Sequence, residues 1–173
     1  MKYLAITLSI IAMLGILIFS QTLTTVETSD YLRIHIRANS NSEFDQNVKY
    51  QVKDAIVDYL IPLLSTCESK EDAQKTIERN LTNLETVADN VLMQNNFNYE
   101  SNAKLNYENF PARNYGNLTL ESGFYNALIV ELGEADGDNW WCIVYPPLCF
   151  INGSTSVSSY KSRILEIINS FFD

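Results

Sequence analysis

From residue 32 the chain alternates strictly: Leu32, Ile34 and Ile36 are apolar, while Arg33, His35 and Arg37 between them are basic. A period of two predicts a half-buried strand with the leucine and isoleucines on a core and the basic residues facing outward. Residues 38–41 read as a loop. Ser42, with Asp45 three residues on, matches a helix-capping pattern. Val48, Val52, Ala55, Ile56, Tyr59, Leu60 and Leu63 then follow at helical spacing, with Asp45 and Lys49 as an i,i+4 ion pair. Pro62 is expected to end or kink this helix near Ile61. Ser69 and Asp72 repeat the capping pattern and open a second helix. Its apolar face is Ala73, Ile77, Leu81, Leu84, Ala88, Val91 and Leu92, with Asn95 and Asn96 as its stop. The two helices should form an antiparallel hairpin.

Beyond Phe97 the period returns to two. Residues 99–107 read as a strand, 109–114 as irregular, 118–120 as a short strand and 124–132 as a strong one. An acidic turn over 133–139 makes 124–132 and 140–145 expected hairpin partners. Pro146 and Pro147 must stop the last strand, because neither can donate to a ladder. The segment 139–150 gathers both tryptophans, two of the three cysteines and two of the four prolines, as a rigid corner would. Residues 152–156 form a polar linker, and 160–172 close the chain as a helix with Ile164, Leu165, Ile168 and Phe171 on one side. The order β-α-α-β-β-β-α predicts an α+β fold: a mainly antiparallel sheet against a helical hairpin and a C-terminal helix.

The amino terminus changes this picture. Lys2 is the sole charge before Glu27, and residues 3–19 are almost wholly apolar. Such a run lies at the short end of the ~17–25 residues that span a bilayer. Residues 1–26 therefore read as a signal peptide or an uncleaved membrane anchor, with 27–173 as one extracytoplasmic domain. The whole chain carries 12 Lys+Arg against 21 Asp+Glu. Without Lys2 the exported part has a net charge of −10. Nucleic acid and anionic lipid are poor partners for such a surface, since Lys and Arg must supply the phosphate contacts. A protein partner fits better. The three cysteines are an odd number outside the membrane. Cys142 and Cys149 either form a local bridge around the Pro-Pro corner or are buried as small hydrophobes.

Searching for catalysis yields little. His35 is the only histidine, and there is no C-x-x-C, H-E-x-x-H or G-x-S-x-G. No metal site or cofactor is expected. Glu134, Asp136 and Asp138 lack the spacing of a calcium loop and read as a solvated turn. The S-x-x-K of Ser101 and Lys104 falls in a strand, whereas acylating enzymes place it on a helix. Cys142 has no cationic neighbour in sequence to stabilise a thiolate. The Arg33, His35 and Arg37 stripe is a basic face able to dock an acidic partner. Trp140 and Trp141 point to opposite faces, so one belongs to the core and the other is either an interface anchor or covered by a helix.

Three blocks carry a family resemblance. The first is Ile34 through Ser42, with Asp45, Gln46 and Lys49. The second contains Phe110-Pro111, Tyr115-Gly116-Asn117, Gly123-Phe124-Tyr125 and Leu128. The third is Gly133, Gly137 and the run Asn139-Trp140-Trp141-Cys142 through Pro146-Pro147-Leu148-Cys149-Phe150. Together they resemble the stage II sporulation protein R family over about residues 32–151. Phe44 stands where the family often has another residue, and Arg37 adds charge to the His-containing strand. The resemblance implies a secreted or anchored signal of endospore formation, exported from the forespore into the space beside the mother cell. There it would activate a membrane-embedded aspartic protease, the sigma-E factor processing peptidase, which cuts pro-sigma-E. No small-molecule substrate is implied, and the chain has no Asp-Thr/Ser-Gly of its own. The contacts expected from this reading are His35, Asn39, Ser40 and Trp140 or Trp141. An extracytoplasmic enzyme using His35, with a cysteine or carboxylate, and a structural envelope protein are the rival readings.

Overall fold

A computed structural model describes residues 30–115, 118–150 and 160–172. The expected leader over 1–26 and the linker over 152–156 lie outside the described residues. Among the described residues, no helix is long and apolar enough to cross a membrane.

The fold is α+β. β1 (Leu32–Arg37) leads into α1 (Glu43–Leu64), α2 (Lys70–Glu78) and α3 (Leu81–Gln94). Five strands follow: β2 (Ser101–Phe110), β3 (Arg113–Tyr115), β4 (Leu118–Leu120), β5 (Gly123–Leu132) and β6 (Asn139–Tyr145). A single 3-10 turn over Leu148–Phe150 and α4 (Lys161–Phe172) complete the chain. Both predicted caps form: Ser42 and Ser69 accept the backbone N–H of Asp45 and Asp72 at 3.1 Å. Each removes one of the orphan donors at a helix start.

The helices differ from expectation in two places. Pro62 does not end α1 but sits in its last turn, with Ser65 N–H donating to Ile61 O at 3.0 Å. A proline near a C-terminus removes one hydrogen bond from a helix about to end anyway, so the cost is small. The single helix expected over 73–92 is two helices. Asn80 breaks it: its amide donates to Thr76 O at 2.8 Å and accepts the Tyr59 hydroxyl at 2.7 Å. A side chain that competes for backbone partners ends helical pairing locally.

The larger correction concerns the sheet. Its order is β2-β5-β1-β6, with β3 and β4 forming a separate two-stranded ribbon. β5 and β6 are not hairpin partners. β1 lies between them, parallel to β5 and antiparallel to β6, so the sheet is mixed. β2 continues to Phe110 and β3 starts at Arg113, where irregular chain was expected. The outward N–H groups at the start of the β2 edge are occupied: Ser101 donates to Asp89 at 2.7 Å and Ala103 to Glu85 at 2.9 Å. Covering an edge in this way blocks unwanted strand pairing.

A central strand is covered on both faces. Leu32, Ile34 and Ile36 join Leu128, Val130 and Leu132 in the core beneath the helices. On the other face, Phe110, Leu120, Tyr125, Ala127, Ile129 and Ile143 form a second, smaller core. Arg33 and His35 lie on that face at 0% and 6% exposure, so the outward basic stripe does not exist. Alternation identified the two faces of β1 but not that the polar one is roofed.

Candidate functional site

The motif residues gather in two places. One is the far end of β1, where the chain leaves the sheet through Ala38 and Asn39. To reach β6 from β5, residues 133–138 must pass over this exit. Gly137 N–H donates to Ala38 O at 2.9 Å and Asp136 N–H to Asn39 O at 3.2 Å. The side chains of Asn39 and Asn41 return the contact, accepting from Glu134 N–H at 2.9 Å and Asp138 N–H at 2.6 Å. Lys49, buried in α1, donates to Asp138 O at 3.0 Å and to Gln46 Oε1 at 2.6 Å.

Asp45 is the hub beneath this crossing. Its carboxylate accepts from the Ser40 hydroxyl, from Ser42 Oγ at 3.0 Å, from Asn39 Nδ2 at 3.2 Å and from the Tyr99 hydroxyl at 2.6 Å. Burial opposes its charge, but the hydrogen bonds from Ser40, Tyr99, Asn39 and Ser42 outweigh it and lower its pKa. Burial and the bond to Asp45 push the Tyr99 hydroxyl in the opposite direction, so it stays a donor. Asn39 and Ser40, expected as partner contacts, are half-buried members of this lock.

The second place is the polar row across the other sheet face. His35 Nδ1 lies 2.9 Å from Glu108. Arg37 bridges Glu108 and Glu131, the latter at 2.8 Å, and Lys104 reaches Glu131 at 2.7 Å. Burial is the main influence on His35 and lowers its pKa despite the hydrogen bonds it makes to Glu108 and with Asn139. Glu108 moves down too, the His35 bond and the Arg37 charge outweighing its own burial. Near neutrality the ring is therefore neutral and donates Nδ1–H to a carboxylate. Arg33, deeper in the same row, donates to the Tyr115 hydroxyl at 2.6 Å and lies 4.3 Å from the centre of the Phe110 ring. Its remaining Nε and Nη1 have no hydrogen-bond partner and rely on the aromatic faces around them.

A histidine held by a carboxylate is half of a general-base arrangement. The other half differs: Nε2, where a nucleophile's proton would be taken, is buried beside the Asn139 side chain rather than a hydroxyl or thiol. The ring stacks on Trp141 at 5.3 Å and meets the edge of Phe110 at 5.7 Å. At 6% exposure His35 offers no surface to a partner, so its expected role as a contact is corrected by the roof over β1. Among the described residues, no cluster of three or more His, Cys, Asp or Glu is placed to hold a metal ion.

Trp140 and Trp141 do point to opposite faces, and both are half-buried. Trp140 lies against the helix side near the Lys53 ammonium, and the Arg113 guanidinium covers Trp141 at 4.3 Å. Cys142 and Cys149 are joined in a disulfide, with Cα atoms 5.9 Å apart, across the corner that holds a cis Tyr145–Pro146 bond. Cys67 is free and buried. Sequence reasoning missed Glu108, Glu131 and Tyr99 as partners of the motif residues. The period of two in β2 and β5 puts both glutamates on one face, but which strand lies beside β1 is a tertiary fact.

Fold and site together define a small α+β protein whose motif residues lock one strand crossing and contribute to a buried polar row. The chain belongs to the stage II sporulation protein R family, whose model matches residues 28–155. It is similar to Stage II sporulation protein R of Bacillus subtilis (strain 168), with 32% identity over 123 residues. The aligned part is 71% of this chain but 55% of that protein, so the chain spans little more than half of its relative. No solved structure matches.

Proposed function

We propose that this protein is an extracytoplasmic signal of endospore formation, exported from the forespore through its N-terminal segment, as a cleaved signal peptide or an anchor. Its folded surface binds the outward face of a membrane-embedded aspartic protease in the mother cell. Binding favours the competent state of that protease, which then processes pro-sigma-E; a ligand shifts such an equilibrium only by its differential affinity for the two states. Family membership is the observation that carries this reading. The Cys142–Cys149 bridge fits an oxidising compartment outside the cytoplasm. The acidic surface fits a protein partner rather than nucleic acid or anionic lipid.

The test is a sigma-E-dependent reporter in sporulating cells, with and without a copy of this gene. Signal should vanish on deletion and return with the full-length chain. An unchanged reporter in the deletion strain ends the signalling reading and leaves a structural envelope role. His35→Gln should keep the reporter on, because a buried ring with no reachable partner does no chemistry in this scheme. Loss of signal in a His35→Gln protein that folds and is exported normally would favour the enzymatic rival.

A further inference from the structure

Phe44, in the first turn of α1, is 79% exposed, and Met93, near the end of α3, is 66% exposed. Two open depressions run between them. One, of about 540 Å³, is lined by Phe44, Asn47, Val48, Gln51, Asn95 and Phe97. The other, of about 260 Å³, includes Met93, Phe97, Tyr99 and Glu100. Phe97 belongs to both, so they form one groove, with Val48 and Phe97 as its apolar floor and the hydrogen-bonded Gln51 and Asn95 in its wall. Phe97 also contacts Tyr99 at 5.1 Å between ring centres. A side chain on Gly133 would meet the Tyr99 ring at 3.0 Å, so the groove abuts the crossing over 133–138.

The rim has one sign. Glu43 precedes Phe44, Glu100 lines the groove, and Glu134, Asp136 and Asp138 are exposed on the adjoining crossing. Neither depression is lined by lysine or arginine. Lys49, on the same helix, is buried and committed to Gln46 and Asp138. An apolar floor within an acidic rim selects its occupant: burial supplies affinity and the rim supplies the sign. Anionic lipid and nucleic acid are repelled. A second copy docking through the same patch would set like charges against each other. The chain enters β1 from residue 30, at the opposite end of the sheet from the groove.

The geometry points to this groove as the docking site for a protein segment that inserts an apolar side chain beside Phe44 and Phe97 and flanks it with lysine or arginine. This rests on the function proposed above, in which the segment belongs to the outward face of the mother-cell protease. Asn39 and Ser40 then act indirectly, by holding the crossing that forms part of the rim.

The test uses the full-length chain in the reporter strain, with the deletion as baseline. Phe44→Ser/Met93→Ser and Glu100→Lys/Glu134→Lys are compared with Phe124→Ser, which alters an exposed aromatic pair at the opposite end of the sheet. Both groove variants should accumulate at the wild-type level and lower the reporter about tenfold or more, as truncation of an interface anchor does. Phe124→Ser should signal normally. A photo-crosslinking side chain at position 44 should capture the protease, and one at position 124 should not. If the deletion abolishes the signal while both groove variants retain it, the docking site is wrong and the signalling role stands. If the deletion leaves the reporter unchanged, the signalling role itself has failed. A crosslinked species of twice the chain's mass, or Phe44-dependent binding to vesicles of neutral phospholipid, would replace the protein segment with a second copy or a membrane. Should a groove variant fail to accumulate, the crosslink from position 44 decides alone.

Discussion

Replacing Gly137 by alanine tests the strand crossing directly. A Cβ built there would overlap the Ser40 carbonyl oxygen, and it sits 2.5 Å from the carbonyl carbon and 2.9 Å from Ala38 Cβ. The obstacle is backbone of the β1 exit, which is fixed by β1 on one side and α1 on the other, so no side chain can rotate away. The crossing must lift instead. Lifting weakens Gly137 N–H to Ala38 O, Asp136 N–H to Asn39 O and Asp138 N–H to Asn41 Oδ1. At roughly 1 kcal/mol for each hydrogen bond, the loss is about 3 kcal/mol. Overpacking of a tight site independently costs about 1–3 kcal/mol. A destabilisation of about 3 kcal/mol lowers the melting temperature by roughly 6–12 °C in a domain of this size. Urea unfolding followed by the fluorescence of Trp140 and Trp141 measures it. Gly123→Ala is the control, because its nearest neighbour would be Tyr125 Cε2 at 3.9 Å; it should shift stability by less than about 0.5 kcal/mol. If residues 133–138 merely closed a hairpin, they would cross nothing and the two alanines would behave alike. A Gly137→Ala protein within about 0.5 kcal/mol of wild type would refute the crossing argument.

Four further outcomes rest on His35, Asp45 and the cysteines. Because burial lowers the His35 pKa from its usual 6.5, the unfolded chain binds the proton more readily than the fold. Stability from this residue is full above pH 6.5 and declines as pH falls toward the lowered folded value. Glu108 and Asp45 are themselves moved down, away from that window, and Arg37, Glu131 and Lys104 are the other charged groups near the ring. Urea titrations between pH 7.5 and 5.5 should show this slope, and His35→Gln should flatten it; an equal slope in both proteins contradicts the assignment. Asp45→Ala removes the common acceptor of Ser40, Ser42, Asn39 and Tyr99 and should cost about 2–4 kcal/mol in the same assay, leaving several donors unsatisfied. A cost below about 1 kcal/mol would mean that water replaces the carboxylate. Thiol titration of the unfolded protein should find one free thiol before reduction and three after it. Cys142→Ala/Cys149→Ala should lose about 2–3 kcal/mol, the loop entropy of a short bridge.

Much of the local structure was legible in the sequence, because it depends on near neighbours. Capping by Ser42 and Ser69, the apolar stripes of the helices and the opposed faces of Trp140 and Trp141 are set by geometry repeating over two to four residues. The motif blocks were legible too, and they brought the family with them. Pro62 carries the right chemistry in the sequence, but its consequence depends on where its helix ends, and the break at Asn80 depends on Tyr59, a partner no local pattern shows. The tertiary structure alone decided that β1 lies between β5 and β6. Pairing across most of the chain is chosen by burial summed over the whole core, and no local pattern encodes it. That single placement roofs the basic residues of β1, turns His35 from a surface contact into a buried partner of Glu108, and carries an ordinary acidic turn across Asn39 and Ser40. Alternation along a strand shows which residues share a face; only the packed neighbours determine whether that face meets water.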